Sequence, residues 1–217
     1  MKLVNIGKKS SILNNYVAEI RDARIQKDSL RFRENLQRVG AIFGYEISKT
    51  LAYSPKEVVT PLGVASVPTL DSKVVVASIL RAGLPLGNGI LQVFDHAESA
   101  FLATFRKYGK GDYVEIRADY CTCPSIDGKV VILADAMAAT GDSFEKALDR
   151  IAREGGSPAH VHLVCPITSR FAADQLAQRF GDEYTLWVAA IDEELTGHNY
   201  VIPGLGDAGD LAFGEKL

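Results

Sequence analysis

Short apolar runs rich in β-branched residues alternate with helical segments through the middle of the chain. The strand candidates are 73–80, 100–106, 129–134, 160–167 and 184–191. Apolar residues recur with helical spacing in the intervening segments 85–94, 142–156 and 171–180. Strands that alternate with helices predict a parallel sheet covered by helices on both faces. We therefore expect one α/β domain over residues 1–217.

A longer amphipathic helix is predicted over residues 28–52. Its apolar stripe recurs at steps of three and four residues, and it consists of Phe32, Leu36, Val39, Phe43, Ile47 and Leu51. Gly40 and Gly44 lie four residues apart, a spacing that permits close helix contact, either within the chain or across a dimer. This helix and the residues before it are predicted to form a helical N-terminal arm, 1–55.

Composition excludes several classes of protein. A formal net charge of −3 provides no strong field for nucleic acid or acidic membranes. No apolar run approaches the roughly 18 residues that would cross a bilayer, and the first residues, MKLVNIGKKSS, lack a secretory signal. The three cysteines predict a reducing, cytoplasmic compartment. Neither Cys121-Thr-Cys123 nor the four histidines have a metal-ligand spacing, so we predict no protein-built metal site.

Ligands of parallel sheets bind outside the carboxyl ends of the strands. The strand-to-loop junctions SILRAG, TFRKYGKGDY, LADAMAATGDS and AAIDEEL should therefore carry the chemistry. In the third junction a strand ends at Asp135, and T-G-D-S at 140–143 opens a helix.

The N–H groups of such a helix start, with the Thr and Ser hydroxyls, can hold an anion. The missing Gly-Lys-Ser/Thr excludes a nucleoside-triphosphate P-loop. An aspartate beside the anion site suits a sugar phosphate, because its carboxylate accepts hydrogen bonds from ribose hydroxyls. An ordinary loop with a capping Ser or Asp explains the same residues, so both interpretations stand.

Three glycines in VIPGLGDAGD, residues 201–210, spell G-x-G-x-x-G. A dinucleotide-binding loop would need a βαβ unit of about 30 residues, and only DLAFGEKL follows. The position therefore disfavours a dinucleotide site. A glycine-rich turn and a main chain that closely approaches a small ligand both remain as explanations.

Taken together, these motifs resemble one family. LADAMAATGDS resembles the phosphoribosyl diphosphate (PRPP) signature of type I phosphoribosyltransferases. With VASILRAGLPLGNGIL, IDEELTGHNYVIPGLGDAGD and RDARIQKDSLRFRENLQRVG, the chain resembles the uracil phosphoribosyltransferases over nearly its whole length. The resemblance implies a phosphoribosyltransferase-type fold, synthesis of UMP and diphosphate from uracil and PRPP in pyrimidine salvage, Mg²⁺ bound through PRPP, and a homodimer or higher homo-oligomer.

The same resemblance implies the site residues. Arg81, Arg106 and Asp135 would be catalytic, with the arginines on the leaving diphosphate and Lys107 assisting. Residues 191–217 would form a hood over the pyrimidine. Within the hood, Val201, Gly206, Asp207 and Ala208 would contact uracil, mainly through the main chain. PRPP would contact Arg81, Arg106, Asp135, Ala136, Met137, Ala138, Ala139, Thr140, Gly141, Asp142, Ser143 and Asp207.

Departures from the family pattern leave a second interpretation. Asp142 stands where the family has glycine, and Ala136 and Ala139 replace a proline and a leucine. In one interpretation the Asp142 carboxylate points outward, and its negative charge interacts favourably with the helix N-terminus. In the other it lies against the phosphate and weakens PRPP binding. The latter would suit a non-catalytic sensor of uracil or its nucleotide. The stretch 107–119 is predicted to be a mobile loop that closes over the site.

Overall fold

The computed structural model describes residues 1–108 and 114–216, with side chains for all of these except 104–108 and 114–119. The described helices are α1 (Ile12–Arg21), α2 (Ser29–Ser48), α3 (Gly83–Val93), α4 (Asp142–Gly155), α5 (Arg170–Arg179) and α6 (Ala208–Phe213). The described strands are β1 (Lys2–Asn5), β2 (Tyr53–Thr60), β3 (Gly63–Leu70), β4 (Val74–Leu80), β5 (Glu98–Tyr108), β6 (Val114–Thr122), β7 (Val130–Ala134), β8 (Met137–Ala138), β9 (His160–Ser169), β10 (Tyr184–Asp192), β11 (Glu194–Leu195) and β12 (Val201–Ile202).

One large sheet organises the described part of the chain. Its strand order is β1-β10-β9-β7-β4-β5-β6, and the short β8 extends it by pairing with β9. Every pairing is parallel except that of β6, which runs antiparallel to β5. The carboxyl ends of β4, β5, β7, β9 and β10 therefore share one edge, as predicted for the strand-to-loop junctions.

Helices cover both faces of this sheet, which confirms the predicted fold class. The side chains of α1, α2 and α3 pack on one face against alternate strand residues such as Val76, Ile132 and Trp187. The helices α4 and α5 cover the opposite face, where Phe144 and Leu176 meet the intervening strand residues. Both faces are apolar because a parallel sheet between two helix layers has no side exposed to water.

Two parts of the sequence-based description need correction. The stretch 107–119, predicted to be a loop, contains the end of β5 and the start of β6, while 109–113 lie outside the described residues. Its alternation of apolar and polar residues in VEIRADYCT is typical of a strand. The segment 1–55, predicted to be a helical arm, also contributes β1 to the sheet, and its helices pack on the core.

The glycines of α2 lie at a contact within the chain. A Cβ on Gly40 would overlap the carbonyl oxygen of Leu86, and a Cβ on Gly89 would overlap that of Gln37. A Cβ on Gly44 would lie 3.2 Å from the side chain of Val93. The predicted close helix contact is therefore the crossing of α2 and α3.

Two histidines lie on the sheet face beneath the N-terminal helices. His162 is buried and accepts a hydrogen bond at Nδ1 from Trp187 Nε1, at 3.0 Å. Its Nε2 is buried and has no hydrogen-bond partner among the described residues. Desolvation, reinforced by the neighbouring His160, lowers the pKa of His162 to about 3. The folded protein therefore keeps this imidazole neutral.

This buried imidazole predicts acid sensitivity. Since its pKa is lower in the folded chain than the unfolded value near 6.5, the unfolded state binds the extra proton first, and stability falls as pH drops from 6.5 toward 3. One proton gives a slope of up to about 1.4 kcal/mol per pH unit. We expect wild type to lose about 2 kcal/mol more than His162→Gln between pH 6.5 and 5 in urea unfolding. His96→Gln, which replaces an exposed histidine, is the control and should lose as much stability as wild type. Equal losses in wild type and His162→Gln would contradict the assignment.

Candidate functional site

The phosphate loop, residues 135–143, runs from the end of β7 to the start of α4. It encloses a cavity of about 80 Å³, lined by Asp135, Met137, Ala138, Ala139, Thr140, Gly141, Ser143 and Phe144. That volume corresponds to a few water molecules at roughly 30 Å³ each. Gly141 is the N-cap of α4, so the free N–H groups of the helix start lie at this cavity. The arrangement suits a small anion.

Asp135 lies where β7 ends. One carboxylate oxygen accepts the N–H of Ala136 at 2.7 Å. Desolvation raises the pKa of this carboxyl to about 7, although the N–H groups of Ala136 and Met137 oppose the shift. Hydroxyl donors from a sugar would stabilise the ionised form and lower this pKa.

The Asp142 side chain does not line the phosphate cavity. It is exposed, and it borders a separate groove of about 570 Å³ together with Glu145, Phe171, Gln175, Gln178, Arg179, Asn199 and Thr140. The N–H of Asp142 faces Thr140 Oγ1 at 3.5 Å. The carboxylate sits in the first turn of α4, where a negative charge is favourable. Of the two interpretations, the geometry supports the outward one.

The loop after β4 lies directly beside the phosphate loop. A Cβ on Gly83 would overlap the carbonyl oxygen of Ala134 and lie 3.3 Å from Asp135 Cα. Only a glycine lets the start of α3 approach β7 so closely. This contact brings Arg81, two residues earlier, to the same edge of the sheet as Asp135.

Arg81 links that edge to the hood. Its Nη2 donates to Asp210 Oδ1 at 2.7 Å, and both side chains are about one-third exposed. A Cβ on Gly209 would lie only 3.3 Å from Arg81 Nη2. Lys216 Nζ lies 3.9 Å from Asp210 Oδ1. The guanidinium thus lies against the start of α6, with one of its nitrogens bound to a carboxylate of the hood.

The glycines of the hood have different environments. Gly204 has φ 55°, and a Cβ there would overlap the carbonyl oxygen of Val201, so the turn requires glycine. Gly206 has φ 90°, and the nearest heavy atom to a Cβ there would be Leu211 Cδ1, at 4.0 Å. Its main chain therefore borders open space that a flat ligand could enter. Among the described residues, the G-x-G-x-x-G motif leads into the six-residue α6 and not into a dinucleotide-type βαβ unit.

Asp207 and Ala208 begin α6. The Asp207 Oδ1 accepts the N–H of Asp210 at 3.0 Å and caps the helix, while Oδ2 lies 3.5 Å from Lys216 Nζ. Burial alone would raise the pKa of Asp207, but these groups and the N–H of Gly209 outweigh it and hold the pKa below its usual range. The carboxylate is therefore ionised close to Arg81.

The side chains of Arg106 and Lys107 lie outside the described residues. Their main chains belong to β5, where Arg106 pairs with Ile116 and Lys107 with Glu115 of β6. The strand therefore runs toward the edge where Arg81 and Asp135 lie, but the predicted roles of the two side chains stay predictions.

One apolar cluster joins the N-terminal helices, the loop after β4, the phosphate loop and the hood. Its buried members are Ile20, Phe32, Leu36, Ala82, Ala136, Ile167, Val201, Leu205, Ala208 and Ala212. The structure thus brings Val201 and Ala208 together with Ala136. These segments are far apart in sequence, and the fold packs them into one buried cluster.

Two residues that hold the hood in place, Arg21 and Asp192, were not among the predicted site residues. Asp192 lies in the predicted AAIDEEL junction and is 7% exposed. It accepts two hydrogen bonds from Arg21 of α1, at 2.8 and 2.9 Å. Its position at the end of the apolar β10 run was a usable signal, but nothing in the sequence indicates its partner.

The described residues place limits on other kinds of site. They contain no cluster of three or more His, Cys, Asp or Glu side chains that could hold a metal. Among them, no helix has both the length and the apolar character needed to cross a membrane. Cys121 and Cys123 are free thiols, and burial raises the pKa of Cys121 to about 12, so that thiol stays protonated.

Comparisons with known proteins agree with this geometry. The family model described as uracil phosphoribosyltransferase matches residues 8–215. A uracil phosphoribosyltransferase of Porphyromonas gingivalis is 45% identical over 217 residues and 100% of both chains, and one of Methanothermobacter thermautotrophicus is 39% identical over 87% of this chain and 86% of that one. The solved AQ2163 protein of Aquifex aeolicus has a TM-score of 0.87 at 31% identity, with 98% of each chain covered. The chain therefore belongs to the uracil phosphoribosyltransferase family.

Proposed function

We propose that the protein is a uracil phosphoribosyltransferase that makes UMP and diphosphate from uracil and PRPP. The bond between ribose C1 and the diphosphate oxygen breaks, and a bond from uracil N1 to C1 forms on the opposite face. Uracil N1 loses its proton, and the diphosphate leaves with the electron pair of the broken bond. Such a transition state needs cations near the leaving group and acceptors for the ribose hydroxyls.

The contact between phosphate loop, Arg81 and hood carries this proposal. Ala136 of the phosphate loop and Val201 of the hood share one buried cluster, and Arg81 reaches across to Asp210. An anion at the α4 N-terminus and a base under the hood would therefore meet in one cleft. Asp135, which lines the phosphate cavity, would accept hydrogen bonds from ribose hydroxyls.

The leaving diphosphate would be stabilised by Arg81, and by Arg106 if its side chain follows the family pattern. A guanidinium binds phosphate oxygens through a fork of N–H groups. Mg²⁺ carried by the diphosphate would neutralise part of its charge while keeping several water ligands. The ionised Asp207 beside Arg81 fits such a hydrated ion, since its carboxylate can bind the waters.

Recognition of uracil would depend on main-chain groups of the hood. Uracil presents two carbonyl acceptors and an N–H donor, and the main chain from Gly206 to Ala208 supplies both donors and acceptors. The open space at Gly206 allows the close approach that such contacts need. Cytosine would be rejected because its amine would face a main-chain donor and leave it unpaired.

The outward position of Asp142 favours an active enzyme over a non-catalytic sensor. The Asp142 carboxylate borders the neighbouring groove and does not line the phosphate cavity, where Asp135 is the only acidic residue among the described lining residues. A cytoplasmic location suits this reaction, because the charged PRPP cannot cross a bilayer unaided.

Turnover tests the proposed function directly. Purified protein with uracil, PRPP and Mg²⁺ should release diphosphate and UMP, whereas cytosine and purine bases should give no product. Arg81→Ala should reduce turnover by about 100-fold or more, as expected for the loss of one group that stabilises transition-state charge. Uracil binding without any UMP would support the sensor instead, and near-normal turnover by Arg81→Ala would contradict the role of Arg81.

The position of Asp142 predicts the behaviour of Asp142→Gly. A carboxylate about 4 Å from a phosphate would cost about 4 kcal/mol, which is about three decades of affinity. Because the side chain is exposed and does not line the cavity, we expect the KM for PRPP to change by less than about threefold. The isosteric Asp142→Asn is the matched control for charge. A 100-fold fall in KM in both variants would show that the carboxylate obstructs phosphate.

We also propose that the protein is a homodimer or larger homo-oligomer held together by the hairpin of β2 and β3. Nearly every residue of these two strands is exposed, although they pair along their full length from Tyr53 with Leu70 to Thr60 with Gly63. The tip is apolar, with Leu62 fully exposed and Val59 84% exposed. A two-stranded hairpin is marginally stable in water, so a second copy is the partner that would stabilise it.

Charges at the hairpin tip should break this assembly. We expect Leu62→Lys with Val64→Lys to weaken self-association by at least about tenfold in sedimentation equilibrium, because the charged tip would have to be desolvated. The control is Leu30→Lys, since Leu30 is an exposed apolar residue outside the hairpin. Equal association of wild type and the double variant would contradict the hairpin interface.

A further inference from the structure

The hood is attached to the rest of the protein by a partly buried ion pair. Arg21 Nη1 and Nη2 donate to the two carboxylate oxygens of Asp192 at 2.8 and 2.9 Å. Arg21 is the last residue of α1, and Asp192 is the last residue of β10. The pair thus joins the N-terminal helices to the strand from which the hood departs.

Both main-chain groups of Gly204 belong to the same network. The N–H of Gly204 donates to Asp192 Oδ2 at 2.9 Å, and its carbonyl oxygen accepts from Arg21 Nη1 at 2.9 Å. Gly204 has a positive φ that most other residues adopt only with strain. Asp192 and Arg21 therefore hold the turn from which the chain enters Gly206.

A second ion pair lies at the other end of the segment that contacts the base. Arg81 binds Asp210, and Asp207 caps the helix that carries Asp210. The main chain from Gly206 to Ala208 thus lies between two charged attachments, one to α1 and β10 and the other to β4. Main-chain recognition needs such fixation, because binding groups must be held within about 0.5 Å of the productive geometry.

We infer that Arg21 and Asp192 are positioning residues that set the affinity for uracil. They act through Gly204, and the inference rests on the proposed function. An ion pair of this kind adds little net stability, because both charges lose hydration, but removing one partner leaves the other unpaired and frees the groups it held. A variant that removes one partner should therefore lose stability as well as the fixed position of the hood, so KM is compared in variants that are shown to be folded.

The inference predicts a selective kinetic change. Asp192→Asn keeps the size of the side chain but loses the charge, and Arg21→Lys keeps the charge but loses the bidentate fork. We expect both variants to raise the KM for uracil at least tenfold, while the KM for PRPP changes by less than about threefold. Without ligands, the backbone amides of residues 201–208 should exchange hydrogen at least tenfold faster in both variants than in wild type.

The control is Glu19→Gln. Glu19 joins α1 to α2 by accepting from Arg31 and Asn35, and within the described part of the chain it has no hydrogen bond or ion pair to the hood. It should leave the KM for uracil and the exchange of 201–208 near wild-type values. Equal effects of Glu19→Gln and Asp192→Asn would show that the Arg21 pair merely stabilises the helices, and would overturn the inference.

The hydrogen-exchange measurement separates the inference from the proposed function. A wild-type protein with no uracil turnover would refute the function. Even then, if the amides of residues 201–208 exchanged hydrogen at the wild-type rate in Asp192→Asn, Asp192 and Arg21 would not hold the hood in place. If wild type turns over normally, the KM for uracil of a folded variant tests the positioning role. An unchanged KM in Asp192→Asn or Arg21→Lys would then refute that role and leave the proposed function standing.

Discussion

Burial of apolar side chains between three distant segments holds the candidate site together. Ile20 and Phe32 of the N-terminal helices, Ala136 of the phosphate loop and Val201 and Leu205 of the hood form one cluster. Water is excluded from that cluster, so the polar groups at its margin, including Asp192, have to find protein partners. The ion pairs that hold the hood therefore follow from the apolar contact, which brings their charges close enough to interact.

The central strands and covering helices could be predicted from sequence because each carries its periodicity locally. Several described strands could not be predicted this way, among them β1, β2, β3 and β6. The edge strand β1 has only four residues, and β2 and β3 contain Pro55 and Pro68, which argue against strand and lie opposite each other. In β6 the alternation was present, but the glycines and charges before it suggested a loop. Such edge strands depend on neighbours that the sequence does not show.

The two ends of the site differ in how far sequence could describe them. The anion end consists of contiguous residues, 135–143, whose helix start and small side chains follow from local rules. The end proposed to bind the base depends on Arg21, 171 residues from Asp192, and on Arg81, 129 residues from Asp210. Local patterns identified the glycines of the hood, but only the fold shows which charges hold them.

This division also explains why the departures within the phosphate loop can be tolerated. A helix N-terminus binds an anion through main-chain N–H groups, so Ala136, Ala139 and Asp142 can differ from the family pattern while the N–H groups stay in place. Side-chain changes matter there only if they enter the cavity, and Asp142 does not line it. The hood likewise presents main chain, but it lacks a long helix to fix that main chain. Side chains such as Asp192 must hold it, and changes at those positions should therefore be tolerated less than changes in the phosphate loop.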